Sequence, residues 1–404
     1  MSYNKALIFL TMVPLTTISG RGIYNDLLRR FRDEGYNVYV VSPRERSGGG
    51  KTALIKKDDV FFLGVWTLNL QKTSVVEKGI GQVLVEYQYL RAIKHYLPDI
   101  LFDIILYSTP PITFSNVIDS LKKRNPKAWS YLLLKDIFPQ NAVDLGMMTK
   151  AGYRSCLYHY FRNKERKLYA LSDHIGCMSP ANVRYLLDHN PEVAPERVEV
   201  APNSLELVNL PQVNRDEVRS HYLLPLNRTI FIYGGNLGRP QGINFLIHCL
   251  DSNAHNPNAY FLIIGTGTEL PKLKQWYEER QPTSVTVMEG LPKAEYDKLA
   301  RACDVGLIFL DHRFTIPNYP SRLLSYLENK MPIICATDPN TDLGPIAEKN
   351  GYGYWCESNS VKAFNTLVDR MLNSNIKQMG ECGFEFLKRN YLVENTYNAI
   401  VSHV

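Results

Sequence analysis

Short runs of aliphatic and β-branched residues alternate along the chain with longer segments whose apolar positions repeat at helical spacing. In the first half, strands are predicted at Ala6–Leu10, Val38–Val41, Ile104–Tyr107, Ser130–Leu134, Ile175–Met178 and Val198–Ala201. Helices are predicted at Gly22–Glu34, Gly79–Tyr96 and Tyr153–Leu171. Strands that alternate with helices in this way are typical of parallel α/β sheets.

The second half restarts the same alternation. Its predicted strands are Thr229–Tyr233, Tyr260–Ile264, Val285–Met288, Val305–Phe309, Ile333–Ala336 and Gly353–Trp355. The pattern therefore predicts an α/β fold of two doubly wound, Rossmann-like domains, residues 1–205 and 206–382. Ligands of open α/β sheets bind beyond the carboxyl ends of the strands, so two sheets facing across a cleft would place the site in that cleft.

Composition supports an ordinary globular protein. The 404 residues fit two or three domains at roughly 150 residues each. No apolar run approaches the roughly 20 residues of a spanning helix, so we expect a cytoplasmic protein. The seven cysteines form no CxxC pair and the nine histidines no HxH or HExxH motif, so neither a disulfide framework nor a metal held by the protein is expected.

Charge is unevenly distributed along the chain. Residues 1–205 contain 27 Lys and Arg against 19 Asp and Glu, a net charge of +8, whereas residues 206–404 have a net charge of −2. A basic first half favours an anionic partner, such as a membrane surface, a phosphorylated acceptor or nucleic acid. Ordinary scatter of surface charge is the alternative.

Glycine-rich or polar segments follow four predicted strands of the first half. Glycines in Ser19–Gly22 would let backbone N–H groups approach an anion where a helix begins, although a tight turn also requires glycine. KDIFPQ, SPAN and APNS follow three further strands. Because these endings would share one edge of the sheet, we expect a binding surface there. The candidate residues are Gly20, Gly22, Asp136, Ser179, Asn182 and Asn203.

Three segments of the second half have the groups needed to hold a diphosphate. YGGNLGRPQG lies between a strand and a helix, and Gly-Thr-Gly follows the next strand without the GxGxxG spacing of an NAD site. In the third, Ser321 stands where a helix N-cap belongs, which also fits an ordinary capped helix. The candidate residues are Gly235, Asn236, Arg239, Gln241, Gly265, Gly267, Asn318, Tyr319, Ser321, Arg322 and Leu323.

Together these segments resemble the retaining glycosyltransferases of family 4, which have the GT-B fold. The resemblance lies in KDIFPQNAVDLG, DHIGCMSPANVRYL, APN, YGGNLGRPQG, CDVGLIFLD and NYPSRLLSYLENKMPIICATD, in that order along the chain. Within the family, the sequence is most similar to O-antigen and capsule transferases thought to move N-acetyl-fucosamine-type sugars from UDP donors.

The resemblance implies a retaining transfer from a UDP-sugar to a lipid-linked diphosphate glycan at the cytoplasmic face of a bacterial inner membrane. The second domain would bind the nucleotide and the first the acceptor, and a last helix at about 383–404 would cross back onto the first domain. Arg239 and Arg322 would hold the diphosphate, and Asp136 would orient a reacting hydroxyl. Neither a metal, another cofactor nor nucleic acid is expected.

The sequence departs from the family at three positions. The family's paired glutamates correspond by register to Pro317 and Ser325, and a common lysine is replaced beside Gln241. Glu328, one helical turn after Ser325, could reach the donor ribose. The missing glutamates favour a non-catalytic sugar-nucleotide or glycan-binding protein as an alternative. A sugar-nucleotide epimerase is the alternative among enzymes.

Two predicted helices combine aromatic or aliphatic residues with basic ones, namely Gly79–Tyr96 and Tyr153–Tyr169. Such helices can lie on an anionic membrane surface, which would make the protein peripheral to the inner membrane. The alternative for both is an amphipathic helix that packs against the core.

Overall fold

The computed structural model describes residues 5–69 and 75–404, with all side chains in these ranges except those of residues 75–80, 82, 83 and 154. Contacts between Cα atoms divide the chain into a first unit, Met1–Glu206 with Leu392–Val404, and a second unit, Leu207–Tyr391. Each unit is built on its own β-sheet, with helices in the crossovers between strands.

The described residues of the first unit form an eight-stranded sheet in the order β3-β4-β2-β1-β5-β6-β7-β8. Its strands are β1 (Ala6–Leu10), β2 (Asn37–Glu45), β3 (Ala53–Lys57), β4 (Val60–Thr67), β5 (Ile104–Ser108), β6 (Trp129–Leu134), β7 (His174–Cys177) and β8 (Val198–Val200). Its helices are α1 (Ile23–Asp33), α2 (Val75–Tyr96), α3 (Ser115–Arg124), α4 (Gln140–Asp144), α5 (Cys156–Leu171) and α6 (Pro180–His189). The central strands β1 and β5 are buried along their whole length, as expected for a sheet covered on both faces.

The second unit contains a six-stranded parallel sheet in the order β11-β10-β9-β12-β13-β14. Its strands are β9 (Thr229–Asn236), β10 (Ala259–Thr266), β11 (Val285–Glu289), β12 (Val305–Phe309), β13 (Ile333–Thr337) and β14 (Gly353–Glu357). Its helices are α7 (Arg215–His221), α8 (Ile243–Ser252), α9 (Leu270–Arg280), α10 (Lys293–Arg301), α11 (Arg322–Glu328), α12 (Leu343–Lys349), α13 (Val361–Leu372) and α14 (Ile376–Asn390). The predicted α/β fold class is therefore confirmed, and every predicted strand overlaps an observed one.

A hairpin formed by β3 and β4 was not predicted. β3 pairs antiparallel with β4, and a two-residue turn at Asp58 and Asp59 connects them. Both turn residues have positive φ, 53° and 57°, as the favoured two-residue hairpin turns require, and Asp is among the residues that tolerate this conformation. The sequence signal for this hairpin was the pair of acidic residues between two short apolar runs.

The return of the chain to the first unit begins later than the predicted residue 383. Helix α14 belongs to the second unit, where a Cβ on Gly380 would lie 1.9 Å from the Lys330 carbonyl oxygen, so only glycine permits this approach. The returning segment carries the last helix, α15 (Val393–Val401). Tyr397 of α15 packs against Phe31, with ring centroids 4.9 Å apart, and Ile400 is buried in the same core.

Candidate functional site

The Arg322 side chain lies at the carboxyl end of β9. Its guanidinium carbon is 4.2 Å from the centroid of the Tyr233 ring, a cation–π distance. Nη1 of Arg322 is buried and has no hydrogen-bond partner among the residues that the structure describes. Beside it, Gly235 has a φ of 124°, and a Cβ there would lie 3.6 Å from Nη2. A buried guanidinium N–H next to glycine backbone is suited to an anion.

Two tyrosines, the buried Tyr326 and the half-buried Tyr296, pack at the same end of β9. The Tyr326 hydroxyl accepts a hydrogen bond from Gly234 N at 3.2 Å and donates to Ile232 O at 3.1 Å. Tyr326 lies four residues after Arg322, on the same face of α11. A Cβ on Gly234 would lie 1.9 Å from the Tyr296 hydroxyl, so the glycine makes room for that ring. Burial raises the pKa of Tyr326 to about 12, with a smaller opposing effect from Arg322, so the hydroxyl stays neutral.

The loop after β9 is closed by side chains that were predicted to bind the donor. Oε1 of Gln241 accepts hydrogen bonds from Gly238 N at 3.1 Å and from Asn236 Nδ2 at 3.2 Å. Arg239, between them, is 60% exposed, and its Nε lies 3.8 Å from Glu269 Oε1. Arg239 is therefore on the surface with a loose ion pair, whereas Arg322 is packed.

Gly265 and Gly267 allow close backbone packing. A Cβ on Gly265 would lie 1.9 Å from the Gly235 oxygen, and one on Gly267 would lie 2.3 Å from the Leu237 oxygen. Leu237 N donates to Thr266 O at 2.8 Å, which fixes the β9 loop on the end of β10. The structure thus gives both glycines a role in supporting the Gly235 loop.

Ser321 stands at the N-cap position of α11, as predicted, but it makes no side-chain capping bond. It is exposed and has helical φ and ψ of −63° and −18°. The loop is held instead at Asn318, whose N–H donates to Thr341 Oγ1 at 3.0 Å. Thr341 Oγ1 donates in turn to Asp338 Oδ2 at 2.9 Å. Asp338 follows β13 and is fully buried, and this burial raises its pKa to about 6.

The other predicted residues of this segment are mostly inside the unit. The Tyr319 hydroxyl lies 2.5 Å from that of Tyr391, and Leu323 and Glu328 are buried. Ser325 is half-buried, and its carbonyl accepts hydrogen bonds from the N–H and the side-chain amide of Asn329. The described contacts thus place Tyr319 and Leu323 in the packing of α11.

In the first unit, Asp136 follows β6 and is held from two sides. Both carboxylate oxygens accept from Asn141 Nδ2 at 2.9 Å, and Thr109 Oγ1 accepts from Asp136 N and donates to Asp136 O. Burial raises the pKa of Asp136 to about 6, while the hydrogen bond from Asn141 opposes it. Burial also lowers the pKa of the adjacent Lys135 to about 7. Two neighbouring groups that titrate near neutrality are candidates for acid–base work.

The remaining candidate residues of the first unit lie in local structural features, namely a helix cap, a buried loop and the turn before α1. Ser179 caps α6, accepting from Asn182 N at 3.4 Å and lying 3.0 Å from its Oδ1. Asn203 is buried, and its Oδ1 has no hydrogen-bond partner among the described residues. Gly20 and Gly22 precede α1, but Gly22 N donates to Asp26 Oδ1 at 3.2 Å rather than toward an anion.

One group of described residues has metal-ligand chemistry, and it lies away from Asp136. Nitrogen and oxygen atoms of His174, Glu199 and His403 all lie within 4.8 Å of one another. The two imidazole rings stack with centroids 3.6 Å apart, so both would have to turn before sharing an ion. His174 begins β7, whereas Asp136 follows the end of the parallel strand β6. The two sites therefore lie at opposite ends of the strands.

Sequence reasoning missed Tyr233, Tyr296, Tyr326, Asp338, Thr341 and Lys135. Only Tyr326 had a clear sequence signal, because it lies one helical turn after Arg322. The others are defined by contacts between segments far apart along the chain, such as the 92-residue separation of Gly234 and Tyr326.

The packing role of Gly265 can be tested by Gly265→Ala. The added methyl would push the Gly235 loop away, and overpacking of this kind costs about 1–3 kcal/mol, so the unfolding midpoint of the second unit should fall by several °C. Gly48→Ala is the control, because a Cβ there meets nothing within 4 Å. Calorimetry of both variants would decide. Unchanged stability with loss of ligand binding would show that Gly265 contacts the ligand instead.

Comparison with known proteins finds similarity to glycosyltransferases. Residues 214–397 match the family model described as "Glycosyl transferases group 1". The chain is 23% identical over 335 residues to WbjE of Pseudomonas aeruginosa, named as a glycosyltransferase, covering 79% of this chain and 78% of that protein. It is 28% identical over 178 residues to WcaI of Escherichia coli K12, named as a colanic acid biosynthesis glycosyl transferase, covering 42% and 43%.

Solved structures match along nearly the whole chain. Sucrose-phosphate synthase from Thermosynechococcus elongatus superposes with a TM-score of 0.76 at 15% identity, covering 98% of each chain. Anabaena HepE, solved in complex with UDP, has a TM-score of 0.68 at 12% identity, covering 99% of each. These matches establish the fold. The chain thus has the two-domain GT-B fold.

Proposed function

We propose that the protein is a retaining glycosyltransferase of family 4 that uses a UDP-sugar in bacterial surface polysaccharide biosynthesis. The observation that carries the proposal is the buried, unpartnered Nη1 of Arg322 beside the glycine backbone that ends β9. A donor diphosphate would supply the missing acceptor oxygen. The group 1 match of this unit supports the proposal, as does the UDP in the HepE structure.

Arg322 and Arg239 have unequal roles in the proposed chemistry. As the bond between the sugar and UDP breaks, negative charge develops on the leaving diphosphate, and fixed donors stabilise it. A buried guanidinium acts more strongly than an exposed one because water screens it less. We therefore assign the larger effect to Arg322 and a smaller one to Arg239 at the surface. With two guanidinium groups at the diphosphate, the reaction as proposed uses no metal.

Asp136 is proposed to orient a reacting hydroxyl, with Lys135 beside it. Asn141 and Thr109 fix the Asp136 carboxylate and backbone, so its direction is set before substrate binds. No residue is assigned as a covalent nucleophile. The sugar itself is proposed to be an N-acetylated deoxy-hexose, on the resemblance of the sequence motifs alone.

The acceptor is proposed to be a lipid-linked diphosphate glycan, bound by the basic first unit at the cytoplasmic face of the inner membrane. The colanic acid assignment of WcaI supports a polysaccharide context. None of the helices among the described residues is long and apolar enough to cross a bilayer. The contact with the membrane is proposed to be peripheral.

The membrane-facing surface is proposed to be the loop and helix around α5. Met147, Tyr153, Leu157 and Tyr160 are exposed there. Leu157 and Tyr160 share one face of α5, and Tyr153 lies in the 3-10 turn just before it. Several basic residues of α5 are already engaged: Lys164 pairs with Glu86 and Arg166 with Glu192, both at 2.7 Å. Apolar insertion is thus better supported at this surface than the electrostatic attraction expected from the sequence.

The diphosphate assignment is tested by titrating UDP and uridine. A charge-assisted hydrogen bond is worth roughly 1.5–3 kcal/mol, so Arg322→Ala should weaken UDP binding about ten- to a hundredfold and leave uridine nearly unchanged. Arg322→Lys should restore only part of the loss, because lysine lacks the planar fork. Arg239→Ala should have a smaller effect.

Arg280→Ala is the matched control, since Arg280 is exposed and pairs with Asp251 in the same unit. Equal losses of UDP and uridine affinity would contradict the diphosphate assignment. Tight UDP binding without acceptor-dependent release of UDP would favour the non-catalytic alternative, which the replacement of the paired glutamates by Pro317 and Ser325 motivates. Formation of a new UDP-sugar would favour an epimerase.

The role of Asp136 predicts a pH dependence. Its carboxyl titrates at about 6, so turnover should fall as pH drops through 6 and the carboxylate is protonated. Asp136→Asn should lower turnover, remove this acidic limb and leave UDP affinity nearly unchanged. Asp119→Asn is the control, because Asp119 pairs with Lys123 at the surface.

A stability measurement separates this role from damage to the fold. The folded-state pKa of Asp136 is above its ordinary value of 3.8, so the ionised carboxylate lowers stability above pH 6 and has no such effect below pH 4. Asp136→Asn should therefore raise the unfolding midpoint at pH 8 but not at pH 4. A lower midpoint at both pH values would show that Asp136 is needed for folding.

The membrane proposal is tested by sedimentation with vesicles of anionic phospholipid. Tyr153→Ser and Leu157→Ser together should reduce the bound fraction severalfold, because both exposed apolar groups are removed. Leu226→Ser, at an exposed leucine of the second unit, should have no effect. Binding that is unchanged in the double variant would contradict contact through this surface.

A further inference from the structure

The group of His174, Glu199 and His403 joins the end of the returning segment to the sheet of the first unit. His174 begins β7, Glu199 lies in β8, and His403 follows α15. Each residue offers one nitrogen or oxygen atom, and these atoms all lie within 4.8 Å of one another. Glu199 and His403 are 204 residues apart, so no spacing motif in the sequence could have indicated this group.

The register of β7 and β8 brings His174 and Glu199 to the same face of the sheet. Gly176, two residues after His174, stands opposite Glu199 in this pairing. Side chains two apart on a strand share a face, and so do side chains directly opposite each other. A Cβ on Gly176 would lie 2.7 Å from the Tyr131 hydroxyl, so the glycine makes room for that group. The hydroxyl donates to Glu199 Oε1 at 2.8 Å and thereby orients the carboxylate.

The returning segment supplies the third member of the group. Nε2 of His403 lies 2.9 Å from Glu199 Oε1, and its ring stacks on that of His174 with the planes 14° apart. The side chains of His403 and Glu199 are 25% and 31% exposed. An ion from solvent can therefore reach the group without any opening of the fold.

Two imidazoles and one carboxylate are a ligand set that suits Zn²⁺, with a fourth position left for water. Mg²⁺ and Ca²⁺ prefer oxygen ligands alone. Bonds of about 2.0–2.2 Å place the ligand atoms of a tetrahedral zinc roughly 3.4 Å apart, so atoms within 4.8 Å of one another need only a small approach. The stacked rings must also turn so that their nitrogen lone pairs converge, and rotation about the Cβ–Cγ bond of histidine is soft.

We propose that His174, Glu199 and His403 bind one Zn²⁺ ion, which fastens the end of the returning segment to β7 and β8. Tyr131 would then be the outer hydrogen-bond partner that holds the ligating carboxylate. The group lies at the opposite ends of the strands from Asp136, so the ion takes no part in the proposed transfer. The inference does not depend on the proposed function.

The test is isothermal titration calorimetry of the full-length protein with ZnCl₂ after treatment with a chelator. We expect one Zn²⁺ per chain, and no measurable binding of MgCl₂ under the same conditions. His174→Ala, Glu199→Gln and His403→Ala should each weaken zinc binding at least tenfold, because each removes one of three ligands.

Three variants serve as matched controls. His95→Ala and Glu196→Gln remove exposed residues of the first unit that lie outside the group. Cys156→Ser removes an exposed thiol, which is also a chemically suitable zinc ligand. All three should bind Zn²⁺ as tightly as the unchanged protein, and loss of binding in Cys156→Ser would move the site to that thiol and overturn the proposal.

The fastening role is tested by hydrogen exchange and by the unfolding midpoint. A ligand that binds only the docked arrangement stabilises it, so Zn²⁺ should slow amide exchange in α15 severalfold and raise the midpoint of the first unit by several °C. His403→Gln can keep a hydrogen bond to Glu199 but lacks the imidazole. It should therefore retain the midpoint measured without zinc and lose the response to zinc.

Three results would overturn the proposal. The first is an unchanged protein that does not bind Zn²⁺, and the second is binding that survives in all three ligand variants. The third is a set of variants whose midpoints fall equally with and without Zn²⁺, which would show that the group is a hydrogen-bonded and stacked contact alone.

Discussion

The close approach of α11 to the end of β9 is the constraint on which the candidate donor site depends. Tyr326 donates to Ile232 O and accepts from Gly234 N. Its ring fits there because Gly306 has no side chain, since a Cβ on Gly306 would lie 2.3 Å from that ring. Once that ring is seated, Arg322 lies one turn earlier on the same helix face and must stand beside Gly235.

The same packing explains how the second unit accommodates the half-buried Arg322. Burial of its Nη1 without a hydrogen-bond partner is unfavourable, and the Tyr233 ring face compensates part of that loss. The remaining unpartnered N–H keeps the position receptive to an anion. Asp338 and Thr341 anchor the preceding loop at Asn318, so the approach of α11 does not depend on a capping serine.

In the first unit, burial changes the pKa values of two candidate site residues. The Lys135 and Asp136 pair at the end of β6 carries pKa values of about 7 and 6, because partial exclusion of water disfavours both charges. Thr109, which follows β5, holds the Asp136 backbone, so two neighbouring strands position the carboxylate. On the other side of β1, the β3–β4 hairpin places the apolar side chains of Ile55 and Phe62 beside the loop that follows β1.

Sequence alone determined the local structure and the class of chemistry. Apolar runs bounded by glycine and proline predicted the strands of both sheets, and the YGGNLGRPQG and NYPSRLL segments predicted an anion site. These properties depend on residues within about ten positions of each other, so periodicity and motif spacing report them.

Tertiary structure decided what each residue does. Serine is favoured at N-caps, but Ser321 makes no capping hydrogen bond. A Cβ on Gly265 would meet the Gly235 oxygen rather than open space. The hairpin escaped prediction because Ile55, Lys56 and Lys57 are exposed and give β3 no alternating pattern. The return to the first unit begins at Leu392 because Gly380 packs α14 on Lys330. Each outcome is set by packing between segments distant along the chain, which local sequence patterns do not encode.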